Sequence, residues 1–308
     1  MSNDLIYVSI PSLPDKEIFF TIQQCLSMAK NPQNIRIGIA YYHDLKSDID
    51  PYGIAEYFNN KNIQIKVYDV SDKNNFGVGK GRNAATQFYN NEKYFLQIDS
   101  HTNFKKNWDK KLIKPYKKSL KRYGPNVLTA CLPRYKRDEQ DVTIIDPYAR
   151  YPIYDGFKTY NPDVPNIQNV YIKTNKKVEY AIKVSASMIF SEAKNILNNR
   201  IPEWVEFWEE EVIQSIEIYN DGLKILFVQN PPMNHLDFSD VVYGINDRKH
   251  MSQYFSDNFI SKRIEMTNKN FKQYLENNSE KVKKYEKYAK LSFENKTTQP
   301  IGFIPYNE

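Results

Sequence analysis

Apolar positions recur along this chain with two periods, and their alternation sets the expected architecture. Short apolar runs at residues 5–10, 35–41, 63–68 and 94–98 have the length and β-branched content of buried strands. Between the first two, Ile18, Phe19, Ile22, Leu26 and Ala29 recur at helical spacing, behind Pro11-Ser12-Leu13-Pro14 as a strand stop and Asp15 as a helix cap. A helix over 80–90 precedes the fourth strand. Strands alternating with helices predict an α/β fold, a mostly parallel sheet flanked by helices with right-handed crossovers. A helical stretch through Leu112 and Leu120 follows, expected to kink or break at Pro115, and then a strand over 126–130.

Residues 133–177 carry prolines, tyrosines and charges without a period and read as long loops over the sheet, of the kind that belong to a binding face. Pattern returns over 178–190, in a helix after Pro202 and in a strand over 223–228. Val205, Trp208, Val212, Ile216 and Tyr219 give that helix an apolar stripe. Beyond Ser252 the pattern is helical, polar and basic to about Lys290. The chain therefore divides into a main domain over 1–250 and a basic C-terminal helical annex over 251–308. Within the annex Tyr254, Phe255, Phe259, Ile264, Phe271, Tyr274 and Leu275 predict one packed face and one solvated face.

Composition narrows the function classes. The chain has 308 residues, 41% of them apolar, enough for a sizeable core. The formal charge is +6, but residues 261–290 hold nine Lys or Arg against four Glu, so the excess is a property of the annex. Basic stripes with aromatic platforms are missing from the main part, which argues against a nucleic-acid partner. The two cysteines, Cys25 and Cys131, fall inside an expected helix and strand, which fits a reducing compartment rather than a disulfide framework. No apolar run approaches the roughly 18 residues of a membrane span, and the expected location is cytoplasmic.

Candidate chemistry begins where the fourth strand stops. Tyr94-Phe95-Leu96-Gln97-Ile98 ends at Asp99, with His101 two positions on, at the sheet edge where α/β proteins bind ligands. Asp99 and His101 on one side of an extended segment could share a divalent cation; a turn cap and a surface histidine have the same spacing. "GVGKGRNAA" at 77–85 is a glycine-rich helix entry with Lys80 and Arg82. It reads either as a phosphate site or as a glycine turn with a surface lysine, and it matches neither the dinucleotide nor the Walker spacing. "EFWEEEV" at 206–212 sets Glu209, Glu210 and Glu211 in a first helical turn, where the macrodipole alone favours them. "NPPMNHLDFSD" at 230–240 presents His235 on a proline-bounded loop.

The stretch from Gln87 to Asp109 resembles the cytosolic polypeptide N-acetylglucosaminyltransferases that act on hydroxyproline, through its Leu-Gln-Ile-Asp-Ser-His core at Leu96 to His101 and the Trp108-Asp109 pair. "VSIPSLPD" from Val8, "VSASMIFSE" from Val184, "FWEEEV" and the His235 loop extend the resemblance over about residues 5–240. It implies a GT-A fold and a UDP-sugar-dependent glycosyltransferase, with N-acetylglucosamine as the sugar, a protein or glycan hydroxyl as acceptor and retention at the anomeric carbon. Asp99, His101 and His235 would hold Mn²⁺, or Mg²⁺. Ser9, Pro11, Ser12 and Asp15 would line the uridine, Ser100 would share the nucleotide-sugar site, and Lys80 or Arg82 would offset phosphate charge. Glu210 and Glu211 take the acceptor- or sugar-orienting role by alignment, whereas the helical stripe points to Glu209. A nucleotidyltransferase and a catalytically silent nucleotide- or glycan-binding module are the alternatives.

Overall fold

The computed structural model describes residues 4–44, 50–51, 53–58, 61–70, 72, 77–138, 141–158, 162–172, 176–206, 209–236 and 257–298. An eight-stranded sheet runs through the middle, in the order Val178–Tyr180, Lys224–Val228, Asn126–Thr129, Met188–Glu192, Tyr94–Ile98, Ile6–Ser12, Ile35–His43 and Ile63–Asp69. The α/β expectation is met, with one refinement. Met188–Glu192 runs antiparallel to both of its neighbours, Tyr94–Ile98 and Asn126–Thr129, and Val178–Tyr180 runs antiparallel to Lys224–Val228, so the parallel sheet carries two reversed strands, one inserted and one at its edge.

Local chemistry explains most element boundaries. Pro11 and Ser12 do not stop the first strand, which continues in parallel register with Ala40 and Tyr41; a proline at a strand's last turns loses only one ladder bond. The Asp15 carboxylate then accepts the Glu17 N–H at 3.0 Å and opens the helix Glu17–Ser27. Pro115 lies inside the unbroken helix Trp108–Tyr123, against expectation. Buried Trp108, Leu112, Tyr116 and Ser119 anchor both sides of it, and that packing outweighs one lost backbone bond. The helix ends at Gly124, whose φ of +76° suits glycine alone.

Much of 133–177 is strand rather than long loop. Arg134–Asp138 and Asp141–Ile144 form a four-stranded sheet with Thr102–Phe104 and Met233–Leu236, and Tyr151–Phe157 pairs with Pro165–Val170. Arg134–Asp138 and Asp141–Ile144 are short and mostly polar, and the buried residues of Tyr151–Phe157 are consecutive rather than alternating, so no period marks these strands.

The annex joins the main core. Phe271 of the helix Asp257–Asn277, and Val282, Tyr285 and Ala289 of the helix Ser279–Ala289, belong to the same apolar cluster as the sheet. The Tyr285 hydroxyl lies 2.8 Å from that of Tyr154 and donates to the Ile182 carbonyl at 2.9 Å. Ile264 is exposed, while Tyr274 and Leu275 are partly buried against the core. Tyr254 and Phe255, the 250/251 boundary and the Phe259 side chain lie outside the described residues, as do Phe207 and Trp208.

Candidate active site

Strand register brings the triad together. Tyr94–Ile98 delivers Asp99 to the sheet edge, and the chain turns into Thr102–Phe104, which pairs antiparallel with Met233–Leu236 so that His235 stands opposite Thr102. His235 therefore sits on a short strand and not on a loop. Its Nε2 lies 2.9 Å from Nε2 of His101 and 3.3 Å from Oδ2 of Asp99. One ligand atom from each of the three falls within 4.8 Å of the others.

The outer partners of both histidines define their protons. Nδ1 of His101 faces the buried Asp15 carboxylate at 3.0 Å, and Nδ1 of His235 faces the Leu236 carbonyl at 2.8 Å. Both partners are acceptors, so each Nδ1 holds the proton and each Nε2 turns its lone pair inwards. Two lone pairs and a carboxylate so arranged repel one another until a cation joins them. At 2.9 Å apart, the two Nε2 atoms are close enough for one ion to bind both. Two nitrogens and an oxygen suit Mn²⁺ and similar divalent ions, so the residues fit the ion.

Asp15 thus acts beneath the site rather than in its wall. It is 1% exposed, and besides His101 and the Glu17 N–H it accepts the Ser100 hydroxyl at 3.0 Å. Ser9 is likewise buried. Pro11, Ser12, Arg82, Asp99, Ser100 and His101, with Glu210, Glu211 and His235, line one cavity of about 410 Å³.

Arg82 and the glutamates form the cavity floor. Arg82 donates from Nε to Glu210 at 2.7 Å, from one terminal nitrogen to the Ile98 carbonyl at 2.9 Å and from the other to Asp99 at 2.9 Å, with the Ala186 carbonyl at 3.5 Å. Four of its five N–H donors are committed to protein. Two carboxylates share this one guanidinium, and their acidities separate. Burial raises Glu210, to about 7, against the pull of Arg82 and with the Asp99 charge adding to the rise. Burial works the same way on Asp99, but the Arg82 guanidinium beside it holds it far below the usual carboxylate range. Glu211 is fixed by the Lys183 ammonium at 2.5 Å and the Ala186 N–H at 2.8 Å. Glu209 is 2% exposed and does not line the cavity.

The glycine-rich helix Val78–Ala85 is no phosphate cradle. Its first two amides, of Val78 and Gly79, donate to the carbonyls of Glu206 and Val205 at 3.0 and 2.8 Å. Glycine is required at position 79 because a Cβ there would stand 2.2 Å from the Pro202 carbonyl oxygen. Lys80 faces a neighbouring groove with Lys66 and Arg200, outside the cavity.

The family model described as Glycosyltransferase (GlcNAc) matches residues 47–299. The chain belongs to this family. Among solved structures, this family member is similar to GalNAc-T7 with UDP, GalNAc and Mn²⁺, at 14% identity and a TM-score of 0.56, over 76% of this chain and 44% of that one. It is also similar to S. aureus TarS 1-349 in complex with UDP-GlcNAc, at 13% identity and a TM-score of 0.49, over 82% of this chain and 62% of that one. The chain spans less than half the length of the first structure, and the likeness is one of fold: the GT-A type. No curated protein matches the sequence.

Several cavity residues carry no motif. Tyr42, Arg150 and Asn169 line it, and nothing local marks them. Lys183 had a legible signal: a lysine inside the apolar run Tyr180-Ala181-Ile182-Lys183-Val184 needs a buried partner, which is Glu211.

Proposed function

We propose that this glycosyltransferase-family chain moves N-acetylglucosamine from its UDP-sugar to a protein or glycan hydroxyl, using a divalent ion, Mn²⁺ first and Mg²⁺ second, with retention. The observation that carries the reading is the convergence of Asp99, His101 and His235 at the end of Tyr94–Ile98, with both imidazole Nε2 atoms presented to a cation. Sugar and retention follow the likeness of Leu96 to His101 to the hydroxyproline-type enzymes.

When bound, the ion supplies Lewis-acid stabilisation of the charge left on the departing diphosphate. The remaining roles belong to side chains. Asp15 orients His101 and fixes its tautomer. Arg82 positions Asp99, and its bonds to protein leave most of the phosphate charge to the metal. Pro11 and Ser12 border the nucleoside side. Glu210, whose carboxyl ionises near neutrality, and Glu211, clamped by Lys183, orient the sugar or the incoming hydroxyl, an interaction that strengthens as the transition state forms.

Release of UDP from a panel of UDP-sugars, in Mn²⁺, in Mg²⁺ and in EDTA, tests the reading. Turnover of UDP-N-acetylglucosamine that needs the ion and vanishes in Asp99→Ala is expected. Pyrophosphate release from a nucleoside triphosphate and a sugar 1-phosphate would instead make it a nucleotidyltransferase. Nucleotide binding without any turnover would make it a silent binding module.

A further inference from the structure

The two ends of the cavity rest on different strands, and this orders what they can bind. Along the sheet edge, Tyr42 and Pro11 lie on the strands to one side of Asp99. On the other side come the turn before Met188–Glu192 and then the exit of Asn126–Thr129 at Cys131. Adjacent strands lie about 4.8 Å apart, so the Cys131 end is roughly 10 Å from the Asp99 strand, away from Pro11. With a diphosphate at the triad and the nucleoside over Pro11, the sugar falls under Glu211 and the incoming hydroxyl at the Cys131 end. This ordering rests on the donor reading given above.

Arg150 is fastened at that end. Its N–H donates to the Cys131 carbonyl at 3.0 Å, and Asn169 pairs in register with Pro152, two residues further on. Arg150 carries surplus positive charge. Its ion-pair partner Asp146 lies 3.8 Å from Nε, beyond hydrogen-bond reach. That carboxylate is already taken by the Arg134 side chain at 2.8 and 3.0 Å, by the Arg134 N–H at 3.0 Å and by Tyr171 at 2.7 Å. Arg150 Nε and Asn169 Oδ1 are both buried and have no hydrogen-bond partner among the described residues. One is a donor on a cation and the other an acceptor, and both residues line the cavity. A buried polar atom left unpaired is costly, so each calls for a ligand group.

We propose that Arg150 and Asn169 form the acceptor subsite, and that they select an acceptor hydroxyl with an anionic group, carboxylate or phosphate, beside it. The guanidinium takes the anion and the amide oxygen takes a hydroxyl or N–H of the acceptor. Among the described residues, the other cation that lines the cavity, Arg82, spends four of its five N–H donors on protein, and Lys183 behind it is paired with Glu211.

Matched small acceptors test it. Methyl glucuronide against methyl glucoside probes a carboxylate, and glycerol 3-phosphate against glycerol probes a phosphate, each read as transfer product with UDP-N-acetylglucosamine and Mn²⁺. In at least one pair the anionic member is expected to have a kcat/KM about ten- to a hundredfold above its neutral mate, the range of a charge-assisted bond. The ratio should fall towards one in Arg150→Gln and stay intermediate in Arg150→Lys. Ratios near one in both pairs for the wild type, no transfer to either anion, or an unchanged ratio in a folded Arg150→Gln would overturn the inference. So would an Arg150→Gln effect that appears wholly as weaker UDP binding, which would place Arg150 on the diphosphate. UDP release without any acceptor separates the two readings: if it occurs and the anion preference does not, only the acceptor inference fails.

Discussion

Asp15→Asn isolates a residue that never touches the ion. Three donors converge on the Asp15 carboxylate: the Glu17 N–H on Oδ1, and the Ser100 hydroxyl and His101 Nδ1–H on Oδ2, each at 3.0 Å. An asparagine offers one oxygen and turns an NH₂ towards whichever donor it no longer accepts. If that donor is Nδ1–H, the His101 proton moves to Nε2 and points into the triad. Loss of one hydrogen bond to a buried charge costs about 1.5–3 kcal/mol, so the melting temperature should fall by several degrees in EDTA. Loss of an outer-shell carboxylate weakens metal binding by about 10–100-fold, so calorimetric titration with Mn²⁺ should show a Kd raised by that factor. Ser100→Ala removes one donor and keeps the carboxylate, and should leave Mn²⁺ binding close to that of the wild type. A folded Asp15→Asn protein with an Mn²⁺ Kd within about twofold of wild type would refute the tautomer argument.

The remaining predictions follow from the floor and the frame. Because the folded-state pKa of Glu210 is raised, to about 7, its protonation adds stability below the unfolded carboxyl value that is lost as pH rises through 7. The unfolding free energy in metal-free buffer, read from urea denaturation, should therefore decline between about pH 4.5 and 7 by up to ~3 kcal/mol, and Glu210→Gln should flatten that slope; an identical slope refutes the assignment. Lys80→Ala should leave the Kd for UDP within about twofold, since Lys80 faces another groove; a tenfold loss would return it to the nucleotide site. Gly38→Ala should cost at least ~2 kcal/mol in urea unfolding, because its Cβ would lie 1.7 Å from the Tyr7 hydroxyl and 2.6 Å from the Ala85 carbonyl oxygen. Tyr285→Phe should cost about 1–2 kcal/mol through the bonds to Tyr154 and Ile182, and a neutral result would show that these two bonds add nothing net to the docking of the annex.

What could be learned from the residue order was whatever depends on near neighbours. The runs at 35–41 and 94–98 announced strands because burial on both faces writes an apolar stretch, and 63–68 did so by alternation, as an edge strand with one face exposed. Asp99 and His101 were legible because two residues on one extended segment keep their relation in any fold that preserves it. His235 entered by resemblance, since its meeting with His101 depends on the pairing of Met233–Leu236 with Thr102–Phe104, which no local pattern encodes. The same limit explains the misreadings. Residues 133–177 lack a period because their partners lie on other strands, and Pro115 stays helical because Leu112 and Tyr116 are buried against the sheet. The glycine-rich entry promised open amides, yet the Val205 and Glu206 carbonyls, more than a hundred residues away, fill them. Arg82 seemed a phosphate ligand until Glu210 and Asp99 closed around it. Hydrogen-bond capacity is finite, and only the tertiary structure decides which partner uses it.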